Sequence, residues 1–212
     1  MINDYLTQTI AAYDASAEQY ELATANATPN EELVNLIAAL PAGNLPILDA
    51  GCAFGRDTAK FAKHNQKVLG IDLSAGLLKR AKELHPELAF ENMDIRKLKL
   101  DDESINGIWC HATLLHLNNG DIQASLAEFS RVLIPGGSVF MSFKEGSGEE
   151  QFVSTFGSDN VWYFNYQTIE STTFLVESSG LAITSSYVVH EIERWGPSKR
   201  RLNWIYCFAK KT

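Results

Sequence analysis

Cysteine is scarce in this chain: Cys52, Cys110 and Cys207 are the three among 212 residues, and they lie far apart. That excludes a disulfide scaffold and a cysteine-built zinc centre, both of which need paired or clustered thiols. Each sits in or beside an apolar run, so they read as small buried residues in a reducing compartment. Long hydrophobic runs are also missing. No stretch approaches the ~20 apolar residues that cross a bilayer, and no membrane partner is expected. The amino end, Met1-Ile2-Asn3-Asp4-Tyr5, lacks the basic and apolar regions of a secretory leader, so the expected location is the cytoplasm. Positive charge is in deficit, with 18 Lys and Arg against 26 Asp and Glu. A dedicated nucleic-acid binder draws its phosphate affinity from clustered Lys and Arg, which makes nucleic acid an unexpected partner.

What is present is enough apolar residue, 45% of the chain, for one well-cored domain over residues 1–212. Neither a repeat nor a second domain boundary interrupts it. Residues 1–27 are polar with spaced aromatic and aliphatic residues, among them Tyr13 and Tyr20, and read as one or two covering helices. Thr28-Pro29-Asn30-Glu31 predicts a helix start, with Thr28 as cap and Pro29 at the first helical position. Leu33, Leu36, Ile37 and Leu40 continue it, so the covering segment runs to about residue 40. From Ile47 the chain alternates. Strands are expected at 47–50, 68–72, 88–94, 105–112 and 138–143, and helices at 56–63, after Ser74, and after Asp121 as cap. Pro135-Gly136-Gly137 ends the third of these helices. A further helix is expected over 168–179, followed by strands over 181–191 and 203–209. The loop joining those two is too short for a crossover helix, so they form a hairpin with one strand antiparallel. The fold class is therefore α/β, a doubly wound, seven-stranded mixed sheet with an antiparallel C-terminal hairpin strand.

Ligands of such sheets sit beyond the carboxyl ends of the strands, near the switch point of strand order. There the first strand runs into Asp49-Ala50-Gly51-Cys52-Ala53-Phe54-Gly55, a glycine-marked turn opening a helix. The second ends on Asp72, 21 residues after Gly51, where a carboxylate accepts hydrogen bonds from two ribose hydroxyls or caps the next helix. The glycines are spaced G-x-x-x-G, not G-x-G-x-x-G, and Asp49 precedes the first of them. A carboxylate there repels a diphosphate and welcomes a cation. S-adenosylmethionine fits that description, with adenosine, no phosphate, a sulfonium and an α-amino group.

These residues resemble the class I S-adenosylmethionine-dependent methyltransferases, particularly the small-molecule type. Asp49 to Gly55 is similar to the family's first motif, and Gly70-Ile71-Asp72-Leu73-Ser74 to its second, which ends in the ribose-binding acid. Met93-Asp94-Ile95 resembles the third, whose acid faces the adenine amino group. Phe129 to Gly137 is similar to the segment before the fifth strand. The agreement spans roughly residues 10–210. It implies a Rossmann-like fold, methyl transfer from S-adenosylmethionine to a small molecule, and S-adenosylhomocysteine as the product cofactor. It implies a cofactor site of Tyr20, Asp49, Gly51, Cys52, Ala53, Gly55, Arg56, Asp72, Leu73, Leu77, Asp94, Ile95 and His111. Ala53 departs from the family, which most often has glycine there. Alanine permits close approach if its φ is negative, so adjusted contacts are expected.

Methyl transfer from a sulfonium needs orientation above all and no metal. His116, just after the fourth strand, stands either to take a proton from the acceptor or to orient its loop. The segment 145–166 carries Phe152, Phe156, Trp162, Tyr163, Phe164 and Tyr166. It reads either as an aromatic lid, with Trp162, Tyr163 and Tyr166 against the acceptor, or as a cap on the sheet edge. Arg194, Trp195, Lys199, Arg200 and Arg201 form either an anchor for an acidic acceptor or a solvated hairpin tip. An RNA or protein acceptor, a non-catalytic regulator and a nicotinamide dehydrogenase are the rival readings. A monomer or a dimer is expected.

Overall fold

Strands joined by crossover helices are covered on both faces, and the inner strands here are apolar at nearly every position. A computed structural model describes residues 4–153, 161–195 and 202–212. In it β1 (Ile47–Ala50) and β4 (Ile105–Cys110) are buried throughout. β2 (Val68–Asp72) and β3 (Ala89–Asn92) extend the sheet on one side, and β5 (Leu133–Glu145) on the other. The order β3-β2-β1-β4-β5 is parallel at every step. Near the carboxyl end, β8 (Leu181–His190) and β9 (Asn203–Lys211) pair antiparallel, and β9 lies antiparallel beside β5. The path β3-β2-β1-β4-β5-β9-β8 is the expected seven-stranded mixed sheet.

Alternation along these strands sorts the core into two layers. Leu48, Ile108, Val139, Met141 and Phe143 face one side, against Ile122, Leu126 and Phe129 of α6 (Asn119–Val132). Ile47, Trp109, Phe140 and Tyr206 face the other, against Leu33 and Leu36 of α3 (Asn30–Ala39) and Phe61 of α4 (Arg56–Lys63). The α5 helix (Ala75–Leu84) starts at Ser74, whose hydroxyl accepts from the Leu77 N–H. α7 (Ile169–Glu177) starts at Thr168 with a reciprocal capping box. Two short helices, α1 (Asp4–Ala15) and α2 (Ala17–Thr24), lie across the carboxyl ends of the strands. α1 is held there by side chains: Asp14 Oδ1 accepts from the Ser74 hydroxyl at 2.6 Å and the Gly76 N–H at 2.8 Å. The Tyr5 hydroxyl donates to Asp121.

Several expectations change in detail. The segment 145–166, read as an aromatic lid or a cap on the sheet edge, contains two strands, β6 (Glu149–Val153) and β7 (Val161–Gln167), antiparallel to one another. β7 joins the very end of β5 in parallel, bringing the strands among the described residues to nine. Its aromatic and β-branched residues favour the extended state. Thr28 does not cap α3, because its hydroxyl donates to Asp57 instead, and Pro29 takes the cap position. Asp121 is likewise not the cap of α6. That role falls to Asn118, which accepts from the Asp121 N–H at 2.9 Å, while the Asp121 carboxylate holds Tyr5 and Arg96. β5 begins at Leu133, before Pro135-Gly136-Gly137, and its register with β4 shifts between Ile105 and Gly107, an irregularity of the kind at which a strand proline is found. β4 ends two residues early, since Ala112 takes φ +57°. A five-residue helix, α8 (Glu191–Trp195), leads out of β8. Phe156, Lys199, Arg200, Arg201 and the side chains of Arg194 and Trp195 lie outside the described residues.

Phe129, fully buried between α6 and the sheet, tests this layering. Phe129→Ala is expected to lower the unfolding free energy by about 3–5 kcal/mol, measured by urea denaturation; a loss below about 1 kcal/mol would contradict its place in the core.

Candidate active site

The turn after β1 is tight because three residues take left-handed backbone: Gly51 at φ +83°, Ala53 at +50° and Gly55 at +82°. Gly51 has no alternative, as a Cβ there would lie 2.1 Å from Thr113 Oγ1. Ala53 was expected at negative φ and is not. Its N–H donates to Asp72 Oδ2 at 2.9 Å, while Asp72 Oδ1 accepts from the Ser74 N–H at 2.8 Å. The Asp72 carboxylate thus draws the first loop to the start of α5 and holds Ala53 in a conformation its Cβ resists. Burial raises the Asp72 pKa, against the pull of those N–H donors.

Asp49, buried on the cavity floor, accepts from the Thr58 hydroxyl at 2.6 Å. Burial first, then the charge of Asp57, raises its carboxyl to about 8. Asp94 behaves differently. Burial works to raise it, but Arg96 Nε and Nη2, at 3.0 and 2.7 Å, hold it below the usual carboxylate range.

Next to Asp49 is a buried ion pair. Asp57 takes Arg56 Nε at 2.7 Å and Nη2 at 2.9 Å, together with Trp109 Nε1 at 2.9 Å. Arg56 Nη1 also donates to the Thr24 carbonyl of α2. Although burial opposes it, the Arg56 charge keeps Asp57 ionised, well below the usual range. His111 Nδ1 lies 3.4 Å from Asp57 and 3.2 Å from Arg56 Nη2. Burial lowers the His111 pKa despite Asp57.

His116 is also buried. Its Nδ1 lies 2.9 Å from the Tyr163 carbonyl, which only accepts, so Nδ1 carries the hydrogen. Nε2 then accepts from the Tyr13 hydroxyl, 2.9 Å away. Burial brings the His116 pKa down to about 4, with the charge of Lys144 adding to the effect and the Tyr163 carbonyl opposing it. Tyr13 stacks on Trp162 at 5.2 Å and meets Tyr20 edge-on at 5.1 Å. Burial and the neighbouring Tyr20 and Asp72 raise the Tyr13 phenol well above its ordinary value.

These groups bound two cavities. The first is lined by Tyr20, Asp49, Gly51, Cys52, Ala53, Arg56, Asp72, Leu73, Leu77, Asp94, Ile95, His111 and His116. The second, about 590 Å³, shares Tyr13, Tyr20, Arg56, His111, Ala112 and His116 with the first and adds Leu115, Lys144, Trp162, Phe164, Glu191 and Trp204. Three expected positions line neither. Gly55 lies beneath Phe90, where a Cβ would come within 2.7 Å of the ring. Tyr163 points to the opposite face of β7, onto Tyr5, and Tyr166 bonds Glu150 near the sheet edge. Trp162 alone of the expected acceptor aromatics lines the second cavity. Lys144 was missed although a lysine closing an apolar strand, Val139-Phe140-Met141-Ser142-Phe143-Lys144, marks itself. Trp204 carries no comparable signal, since only the return of β9 beside β5 brings it here.

A family model described as a methyltransferase domain matches residues 47–137, which hold β1 through the end of α6 and the three acids above. Over those residues, fewer than half of the chain, the protein is similar to that domain. It is 31% identical over 142 residues, 66% of its length, to a malonyl-[acyl-carrier protein] O-methyltransferase of Yersinia pestis. It is 25% identical over 173 residues to a demethylmenaquinone methyltransferase of Renibacterium salmoninarum, with 82% of this chain and 68% of that one aligned. The chain spans about half, 52%, of the length of the first of these relatives. Among solved structures, a SAM-dependent methyltransferase of Methanosarcina mazei matches with a TM-score of 0.71 at 18% identity, over 83% of this chain and 96% of that one. The Rossmann-like sheet with its antiparallel carboxyl-terminal hairpin is thus the fold of that neighbour as well.

Ala53 supplies a test of the loop. Ala53→Gly removes a left-handed alanine at about 1–2 kcal/mol but adds glycine entropy, for a net stabilisation of about 0.5–1 kcal/mol. An unchanged or lower midpoint in thermal unfolding would refute the strain.

Proposed function

We propose that this protein transfers a methyl group from S-adenosylmethionine to a small-molecule acceptor, with the cofactor in the first cavity and the acceptor in the second. The observation that carries this reading is the pair of cavities meeting at Tyr13, His111 and His116. The lining of the first fits the cofactor's chemistry. Three acidic side chains, Asp49, Asp72 and Asp94, line it, while its arginine is held by Asp57. Such a floor repels a diphosphate and suits a molecule with an amino group, ribose hydroxyls and a sulfonium. In this reading Asp72 holds the ribose, Asp94 lies on the adenine side, and Asp49 receives the α-amino group. Among the described residues, no helix is long and apolar enough to cross a membrane.

The cofactor supplies an already activated methyl, so the protein's work is to align the acceptor and exclude water. Tyr13, Tyr20, Trp162 and Phe164 form an apolar wall for that purpose. His116 stays neutral at physiological pH and can accept a proton. Its Nε2 faces the Tyr13 hydroxyl, not open space, so a proton leaving the acceptor reaches His116 by way of that hydroxyl. The relatives are named for malonyl-[acyl-carrier protein] and for demethylmenaquinone.

Calorimetry with S-adenosylmethionine and with NAD tests the assignment, S-adenosylmethionine alone being expected to bind. Binding of NAD without S-adenosylmethionine would overturn it. Asp72→Asn is expected to weaken S-adenosylmethionine by about 1.5–3 kcal/mol, as a charged hydrogen-bond acceptor is lost; asparagine is preferred to alanine because Asp72 also holds the Ala53 and Ser74 N–H groups.

A pH dependence follows from Asp49. Below about 8 its carboxyl is protonated in the free protein. Pairing with an ammonium pulls that value down, so binding near neutral pH releases a proton and affinity rises as pH climbs towards 8. Titrations in buffers of different ionisation enthalpy should detect the proton, and Asp49→Asn should abolish its release. Proton release unchanged in that variant would remove Asp49 from this role.

A further inference from the structure

His111 follows the last residue of β4 at the place where the two cavities meet, and it lines both. Its side chain keeps 7% of its surface open. Nδ1 lies 3.2 Å from Arg56 Nη2 and 3.4 Å from Asp57 Oδ2, and these two neighbours decide where the ring hydrogen sits. A guanidinium donates and never accepts. The Asp57 carboxylate is already filled: Oδ1 takes Arg56 Nε and the Thr28 hydroxyl, and Oδ2 takes Arg56 Nη2 and Trp109 Nε1. Two carboxylate oxygens offer about four lone-pair sites, so none is left for an N–H of His111. Nδ1 therefore accepts from Arg56, and the contact with Asp57 is electrostatic. Burial lowers the ring's pKa, with Asp57 opposing and the Arg56 charge adding to it. A neutral ring that accepts at Nδ1 carries its hydrogen on Nε2. Among the described residues no hydrogen bond uses Nε2. The Nδ1 edge is turned to the ion pair, which leaves the Nε2 edge for the junction.

We propose that His111 donates its Nε2 hydrogen to the attacking atom of the acceptor, which is an oxygen, of a hydroxyl or a carboxylate, and not an amine nitrogen. This rests on the reading of the second cavity as the acceptor site. The reason is a count of lone pairs. A neutral amine has one, and a donor aimed at it blocks the attack. An oxygen has at least two: one accepts from His111, and another forms the bond to the methyl carbon. As that bond forms, the bond from the methyl carbon to sulfur breaks, and its electron pair stays on sulfur. The His111 hydrogen remains on Nε2 throughout. A hydroxyl acceptor gives up its own proton to the Tyr13 hydroxyl and so to His116, whereas a carboxylate has none to release. Arg56, donating to Nδ1, polarises the ring and strengthens the Nε2 donor on its far side.

Imidazole nitrogen NMR of the protein saturated with S-adenosylhomocysteine, with His111 assigned by its loss in His111→Gln, reads the tautomer. At about pH 7 a neutral ring with its hydrogen on Nε2 is expected. A hydrogen on Nδ1 alone would leave a base at the junction and overturn the proposal, as would an imidazolium. The same complex is then titrated with phenol, benzoate, aniline and toluene, in wild type, His111→Gln and His111→Leu. Phenol or benzoate is expected to bind about fivefold or more tighter than aniline and toluene. His111→Leu should erase that preference, and His111→Gln, whose amide keeps an N–H donor, should restore part of it, which a histidine that merely packs there would not show. Whichever oxygen probe binds tighter identifies a hydroxyl or a carboxylate acceptor. Aniline binding as tightly as both oxygen probes, no probe binding at all, a preference that persists in His111→Leu, or a His111→Gln no better than His111→Leu would each sink the assignment. Failure of the underlying reading looks different: no S-adenosylhomocysteine binding, or probes that displace it from the first cavity.

Discussion

The buried carboxylate of Asp57 is the interaction on which the rest of the site depends. It accepts from Thr28 ahead of α3, from Arg56 on its own helix and from Trp109 in the central strand β4. Arg56 in turn reaches the last turn of α2 through the Thr24 carbonyl. One charge pair therefore joins the covering helices, the helix after the glycine turn and the middle of the sheet. Removing one partner of such a pair leaves the other charged and dry, which is far more costly than the pair is stabilising. The geometry of both cavities follows, because Arg56 and His111 line each of them and are held by Asp57.

Electrostatics divides the two cavities. Acidic side chains line the first, and burial raises two of them, Asp49 and Asp72. The second carries Lys144 over aromatic faces. Between them, His111 and His116 are both pushed towards the neutral form, chiefly by burial. That boundary also carries the Arg56 guanidinium, which lines both cavities and is held by Asp57. The covering helix α1 completes that boundary with Tyr13, and Asp14 one residue later fastens it to the start of α5.

Much of this was legible in the chain because it is local. Continuous apolar runs marked β1, β2 and β4, and Ser74 and Thr168 capped the helices they precede. The glycine turn and the acids after β1, β2 and β3 follow from where a parallel sheet presents its carboxyl ends. The two misread caps share one cause: a side chain with a local use was claimed by a distant partner. Thr28 left its helix for Asp57, and Asp121 left its cap role for Tyr5 and Arg96. The aromatic segment before α7 became a hairpin because β5 runs long enough for β7 to pair with its last two residues.

By itself, then, the sequence determined the order of elements, the mixed sheet and the acid-lined first cavity, since each depends on spacing within a few residues or on strand ends in a fixed order. Only the tertiary structure decided that Ala53 is left-handed, that Tyr163 and Tyr166 turn away while Trp162 faces inward, and that His116 is bonded to Tyr13. It alone brought Trp204 and Phe164 to either side of Lys144. Those outcomes depend on residues tens of positions apart, and no local pattern encodes which of several possible partners a buried polar group will meet.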